Sequence, residues 1–129
     1  MIAPRAADYP TRPIVLVVAF PPGGASDVLA RILGRKLEQI LRQPVVIDNR
    51  PGAGGNVAAE AVAHAAPDGY TLLNGNNSIL ATNAALYKKL GYDAERDFTP
   101  ITMVGTQANI LVVNPAVPAQ SMAELIALA

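Results

Sequence analysis

The run Ile14-Val15-Leu16-Val17-Val18-Ala19-Phe20 is apolar at every position, and Pro21-Pro22-Gly23-Gly24 stops it. Successive side chains of a strand point to opposite faces, so a strand with one wet face alternates. A run that does not alternate suits a strand covered on both sides, as in a parallel sheet. Parallel neighbours need a crossover connection, normally a helix. The run is also far short of the ~20 apolar residues that span a bilayer. Arg5 and Arg12 could belong to the basic start of a signal peptide. The Val and Ile content and the Pro-Gly stop favour a buried strand instead.

The rest of the chain follows the same alternation. After Pro21 to Asp27 comes a helix whose apolar positions Val28, Leu29, Ile32, Leu33, Leu37, Ile40 and Leu41 recur at helical spacing. Arg31, Arg35, Lys36, Glu38 and Arg42 fill its other side. Val45-Val46-Ile47 reads as a second short strand, and Asp48 to Asn56 as a second glycine-rich turn. A small-residue helix is predicted over Val57 to Ala65, a turn at Pro67-Asp68-Gly69, and a third strand at Tyr70 to Leu73. Asn74-Gly75-Asn76-Asn77-Ser78 is a third polar turn, and Ile79 to Leu86 reads as helix. Two further strands are expected at Pro100 to Gly105 and Asn109 to Val113. Ser121 is placed to cap a last helix, with Glu124 at the capping-box position. The expected fold class is α/β, a mainly parallel sheet flanked by helices with right-handed crossovers.

Composition removes several kinds of chemistry. With 129 residues, Lys+Arg 10 and Asp+Glu 10, the chain is one domain in length and has no basic excess to grip nucleic acid or an anionic membrane. Cys 0 excludes disulfides, thiol catalysis and thiolate metal sites. No dinucleotide fingerprint is completed, because Val57 stands where Gly52-x-Gly54 needs its third glycine. There is no phosphate-loop motif and no nucleophile elbow. His64 is the only histidine and sits at a predicted helix end, where partnering the terminal carbonyls is its commoner role. Asp93, Glu95, Arg96 and Asp97 read as a solvated loop. No nucleophile, base and orienting group are gathered, so no enzyme activity, cofactor or metal is expected.

In an α/β sheet the strand-to-helix turns lie at the carboxyl ends of the strands, where ligands bind. The turns at 21–27, 49–56 and 74–78 are of this kind. Glycine lets a backbone approach a ligand closely, and a first helical turn offers free N–H donors at the positive end of the helix dipole. The arrangement suits a carboxylate or a phosphate. A plainer reading stands beside it: Ser26 or Asp27, and Asn76, Asn77 and Ser78, serve as caps and turn residues, and Gly52 to Gly55 as a tight connection.

The blocks Arg12-Pro13-Ile14, Ala19-Phe20-Pro21-Pro22-Gly23-Gly24-Ala25-Ser26-Asp27, Asn49-Arg50-Pro51-Gly52-Ala53-Gly54-Gly55-Asn56, Ala66-Pro67-Asp68-Gly69-Tyr70-Thr71-Leu72 and Leu86-Tyr87-Lys88-Lys89-Leu90-x-Tyr92-Asp93 occur in this order. Together they resemble the tripartite tricarboxylate transporter substrate-binding proteins, or Bug receptors, from Tyr9 to Ala129. The resemblance implies a periplasmic, two-lobed solute receptor of the Venus-flytrap type that delivers a small carboxylate to membrane transporter subunits and does no chemistry. It implies a ligand held between the lobes by a pincer of backbone groups and waters. Carried onto this chain, one arm is Phe20 to Asp27, with Phe20, Gly23, Gly24, Ala25, Ser26 and Asp27 as site residues. The other is Gly75, Asn76, Asn77 and Ser78. Many relatives have Thr in this third turn, where this chain has Asn76 and Asn77.

The resemblance also implies a division of the chain: 1–8 a remnant of export or of an added start, 9–108 an incomplete lobe one, and 109–129 the hinge strand and the start of lobe two. Family members are about twice as long, and the chain ends inside an apolar helical segment, so a fragment is expected. Weak ligand binding follows, as does self-association through surface left by the missing half. Two alternatives remain at this point. One is a small α/β nucleotide-binding or enzyme domain using the same turns. The other is the sensing domain of a regulator, which would need a DNA-binding module.

Overall fold

A computed structural model of the chain describes residues 9–106, 108 and 110–129. The export remnant expected at 1–8 and the strand start expected at Asn109 lie outside the described residues. The chain divides into two units, one ending at Thr99 and one running from Pro100 to Ala129.

The first unit is built on three parallel strands, β1 (Ile14–Val18), β2 (Val45–Asn49) and β3 (Thr71–Asn74), in the order β2-β1-β3. Val15 pairs with Val46 on one side and Thr71 on the other, so β1 is the central strand. Its unalternating sequence is explained by two cores. Leu16 and Val18 pack with Ala30, Leu33, Val45, Ile47 and Leu72 on one face. Val17 and Ala19 pack with Ala58, Ala59, Ile79 and Tyr92 on the other. Helix α1 (Ala25–Leu41) covers the first face, and α2 (Asn56–Ala63) the second.

Helix α1 packs differently from its sequence pattern. Val28, Leu29, Ile32 and Ile40, read as core positions, are exposed, and the buried residues are Asp27, Ala30 and Gly34. The helix lies close to the sheet on small residues four apart. A Cβ at Gly34 would come within 3.2 Å of Ile47 Cδ1. The apolar arc of this helix is wider than the strip the sheet covers, so periodicity identifies the helix and not the face.

The second glycine turn is a packing device. It forms a short 3-10 turn, Ala53–Gly55, ahead of α2. Gly55 has φ 98°, and a Cβ there would sit 2.9 Å from Ile79 Cγ1 and 3.2 Å from Ala19 Cβ. Beneath the turn, Asn83 Nδ2 donates to the Gly54 carbonyl (3.1 Å) and to Asn56 Oδ1 (2.7 Å). The Tyr92 hydroxyl lies 2.9 Å from the Ile79 carbonyl and 3.1 Å from Asn56 Oδ1. After β3 a π-helical turn, Ser78–Thr82, continues into α3 (Asn83–Leu86), which delivers Ile79 and Asn83 to this core.

At the opposite sheet edge the 68–70 turn receives the entering chain. Arg12 pairs with Asp68 at 2.8 Å and lies over the Tyr70 ring at 3.9 Å, and the Tyr9 hydroxyl donates to the Gly69 carbonyl at 2.6 Å. His64 caps the end of α2, its Nδ1–H donating to the Glu60 carbonyl at 2.8 Å.

In the second unit, residues 101–106, 108 and 110–113 form no strand, which corrects the two strands expected there. Ile101, Met103, Ile110 and Val112 are exposed. Their β-branched and apolar character suits a strand, but a strand exists only with a partner ladder, and the three-stranded sheet is the one sheet among the described residues. Helix α4 (Met122–Leu128) starts as the sequence indicates, with Ser121 Oγ accepting from the Glu124 N–H. No helix among the described residues is long and apolar enough to cross a membrane.

The packing at Gly55 leads to a direct expectation. Gly55→Ala forces both a strained φ and an overlap with Ile79, and is expected to cost about 1–3 kcal/mol. Gly75→Ala, whose Cβ would meet Leu80 Cδ1 at an ordinary 3.6 Å, is expected to change stability by less than about 0.5 kcal/mol. Urea denaturation of the two variants checks the contrast.

Candidate functional site

Three parallel strands place the turns after β1, β2 and β3 at one sheet edge. Two of them border an open cleft of about 420 Å³ lined by Phe20, Pro21, Pro22, Gly24, Ala25, Ser26 and Asn76. The turn after β2 does not line it. Asn74 Nδ2, at the end of β3, donates to the Ser26 carbonyl at 3.1 Å and ties the two lining turns together. A smaller cavity of about 230 Å³, lined by Arg31, Gly34, Arg35, Glu38, Val45 and Ile47, lies on the α1–β2 flank and carries charges of both signs.

Helix α1 begins without a side-chain cap. Gly24 is the N-cap, in an extended conformation, and Val28 N–H donates to its carbonyl at 3.0 Å. Ser26 and Asp27 are therefore residues of the first turn and not its caps. The N–H groups of Ala25, Ser26 and Asp27 find no acceptor among the described residues. Unpaired first-turn donors at the positive end of a 17-residue helix attract an anion.

Asn76 caps the other turn. Its carbonyl accepts from the Leu80 N–H (3.0 Å) and its Oδ1 from the Ile79 N–H (3.1 Å). This fixes the carboxamide with its oxygen turned to the helix. Its Nδ2 hydrogens have no partner among the described residues, at a residue that lines the cavity. The capping reading and the binding reading of Asn76 are thus compatible.

The structure sorts the ten residues singled out from the sequence. Phe20, Gly24, Ala25, Ser26 and Asn76 line the cavity together. Gly23, Gly75, Asn77 and Ser78 belong to the same two turns without lining it. Asp27 faces inward and is 2% exposed. Its Oδ2 accepts from Arg31 Nε (2.8 Å) and from the Gly23 N–H (2.9 Å), and its Oδ1 from Asn49 Nδ2 (3.0 Å). These bonds, the Arg31 guanidinium first, hold its carboxyl far below the ordinary value of 3.8. Pro21 and Pro22 line the cavity but are not among the site residues expected from sequence, since a search for N–H donors passes over proline. Sequence reasoning also misses Asn49 and Arg31; their only signal is their place beside the turns.

A parallel α/β sheet with its cleft at the carboxyl ends of the strands has the build shared by many ligand-binding α/β proteins. Comparison with known proteins agrees. The tripartite tricarboxylate transporter family receptor profile matches residues 29–129. BugT of Bordetella pertussis is 47% identical over 127 residues, covering 97% of this chain and 39% of BugT. Among solved structures, R. palustris Rpa4515 with adipate superposes with a TM-score of 0.84 at 44% identity, covering 95% of this chain and 41% of that one. MatC (Rpa3494) from Rhodopseudomonas palustris with bound malate gives a TM-score of 0.68 at 44% identity, covering 71% and 31%. The chain belongs to the tripartite tricarboxylate transporter receptor family. It spans about two-fifths of the length of the relatives it matches.

The Asp27 cluster makes stability depend on acid. Its folded value is depressed, so below about 3.8 the unfolded chain binds the proton first and stability falls with falling pH. The stability Asp27 contributes is fully present above that value. Urea midpoints measured from pH 6 to pH 3 should decline more steeply for the parent chain than for Asp27→Asn, which starts lower at pH 6.

Proposed function

We propose that the chain is part of a periplasmic receptor that captures a small carboxylate for a tripartite tricarboxylate-type transporter, without catalysis. The observation that carries this reading is the uncapped start of α1, whose free N–H groups border a cavity that also presents the Asn76 carboxamide. Among the described residues the cavity lining includes no lysine or arginine, so backbone and amide donors would supply the attraction. That chemistry suits a carboxylate, and Rpa4515 and MatC were solved with adipate and malate.

The proposed arms are the two turns: Phe20, Gly24, Ala25, Ser26 and Asn76 touching the ligand, Gly23, Gly75, Asn77 and Ser78 shaping the backbone around it. Residues 9–108 are assigned to lobe one, and 109–129 to the hinge and the start of lobe two. The second lobe is assigned to the remaining length of the receptor. Each charge-assisted hydrogen bond that lobe gives the ligand is worth ~1.5–3 kcal/mol, so this chain alone binds more weakly than the whole receptor. The partners are the membrane subunits of the transporter. Both sheet edges, β2 and β3, are open among the described residues, which favours pairing with a second copy of this chain. Light scattering at high concentration should show dimers, and a clean monomer would remove that expectation.

Calorimetric titration with adipate, L-malate and a nucleoside monophosphate tests the function. Weak binding of a carboxylate is expected, with a Kd on the order of 1 mM, and no binding of the nucleotide. Asn76→Asp keeps the acceptor for Ile79 N–H, since Asp caps as well as Asn. It turns the free donor into a negative oxygen and should weaken carboxylate binding tenfold or more. Nucleotide binding in place of carboxylate binding would favour a nucleotide domain and overturn the proposal.

A further inference from the structure

We infer that Asn49, together with Arg31 and Asp27, is a positioning cluster that holds the 20–24 turn in its ligand-receiving shape before a ligand arrives and cancels the negative charge beside it. The inference rests on the proposed reading of this turn as a carboxylate-binding arm. It assigns these residues a role that neither turn chemistry nor the ligand-contact residues include.

Asn49 is the last residue of β2, opposite Val18 in the parallel register. Its carboxamide is fully used. Nδ2 donates to the Phe20 carbonyl at 2.9 Å and to Asp27 Oδ1 at 3.0 Å, while Oδ1 accepts from Arg31 Nη2 at 3.4 Å. Asp27 then accepts from Gly23 N–H and Arg31 Nε. The turn is thus gripped at Phe20 from the neighbouring strand and at Gly23 from its own helix. Asparagine suits position 49 because the place needs two donors and one acceptor on a flat group. Aspartate would lose both donors and bring a second negative charge against Asp27.

Space around Gly23 is open, since a Cβ there would meet nothing within 4 Å. Its φ of 88° is what requires glycine, and two hydrogen-bonded anchors hold that conformation in place. A turn held in its bound shape loses less entropy on binding. Charge makes the second argument. Asp27 follows Ser26, which lines the cavity, so an unpaired Asp27 carboxylate would repel an anionic ligand there. Arg31, one turn further along α1, removes that field while remaining about half exposed itself.

The test is a set of variants of the whole 129-residue chain titrated with adipate, with the neutral diamide of adipate as control. Arg31→Gln should weaken adipate binding about tenfold and leave the diamide unchanged. Adding Asp27→Asn to Arg31→Gln should restore most of the adipate-to-diamide affinity ratio, because the offending charge is gone, whatever the altered Gly23 anchor costs both ligands. A purely structural role leaves that ratio unchanged in both variants, and that result overturns the electrostatic half. Asn49→Ala should raise the amide exchange rate of Gly23 at least tenfold, and should weaken binding of both ligands. Unchanged Gly23 exchange overturns the positioning half whatever happens to binding. If the parent chain binds neither adipate nor malate, the functional reading fails for these ligands, and the Gly23 exchange rates still decide whether the cluster holds the turn. Arg31 is on the surface, so its variant reports even where Asn49→Ala impairs folding.

Discussion

Parallel pairing of β1 on both of its edges is the constraint from which the rest follows. A central parallel strand must be covered above and below, and its neighbours must return through helices. Ile14 and Val18 are fully buried, and Leu16 and Val17 nearly so. With all three strands pointing the same way, the turns after them meet at one edge. The cleft there is a consequence of strand direction, and the glycines and prolines of the first turn only shape it.

The three turns divide the work unequally. The first opens α1 without a cap and leaves donors free beside the cavity. The third places one asparagine that caps with its oxygen and keeps its nitrogen available. The second, which has the richest glycine content, does neither. Its Gly55 accommodates Ile79 and Ala19, and its polar groups are closed by Asn56, Asn83 and Tyr92. Burial pushes the Tyr92 hydroxyl above its ordinary value, so it stays a neutral hydrogen-bonding group in this core. The family block around Gly52 to Asn56 is therefore accounted for by packing, and the block around Asp68 to Tyr70 by docking of Arg12 and Tyr9.

Much of this was legible in the residues. The unbroken apolar run gave the buried strand and both cores, and proline and glycine marked every strand-to-helix turn. What could not be read was direction. Val28, Leu29 and Ile32 look like a core stripe, but Ala30 and Gly34 make the contact because close packing prefers what is small. Asp27 looks like a site residue beside glycines, but three donors turn it inward. Asn49 carries no motif of its own, since its role exists only once β2 lies beside β1. The run Ile110 to Val113 has strand composition and no ladder, because propensity cannot supply a partner.

The claim at the centre is that free amide groups at the start of α1, with Asn76, make a cavity that selects negative solutes. Mapping amide resonances while adding adipate tests it most directly. The account expects the largest shifts at Gly24, Ala25 and Ser26 and at the Asn76 side chain, all with one dissociation constant. Shifts centred instead on the α1–β2 flank around Arg35 and Glu38, with the first turn of α1 unmoved, would contradict it.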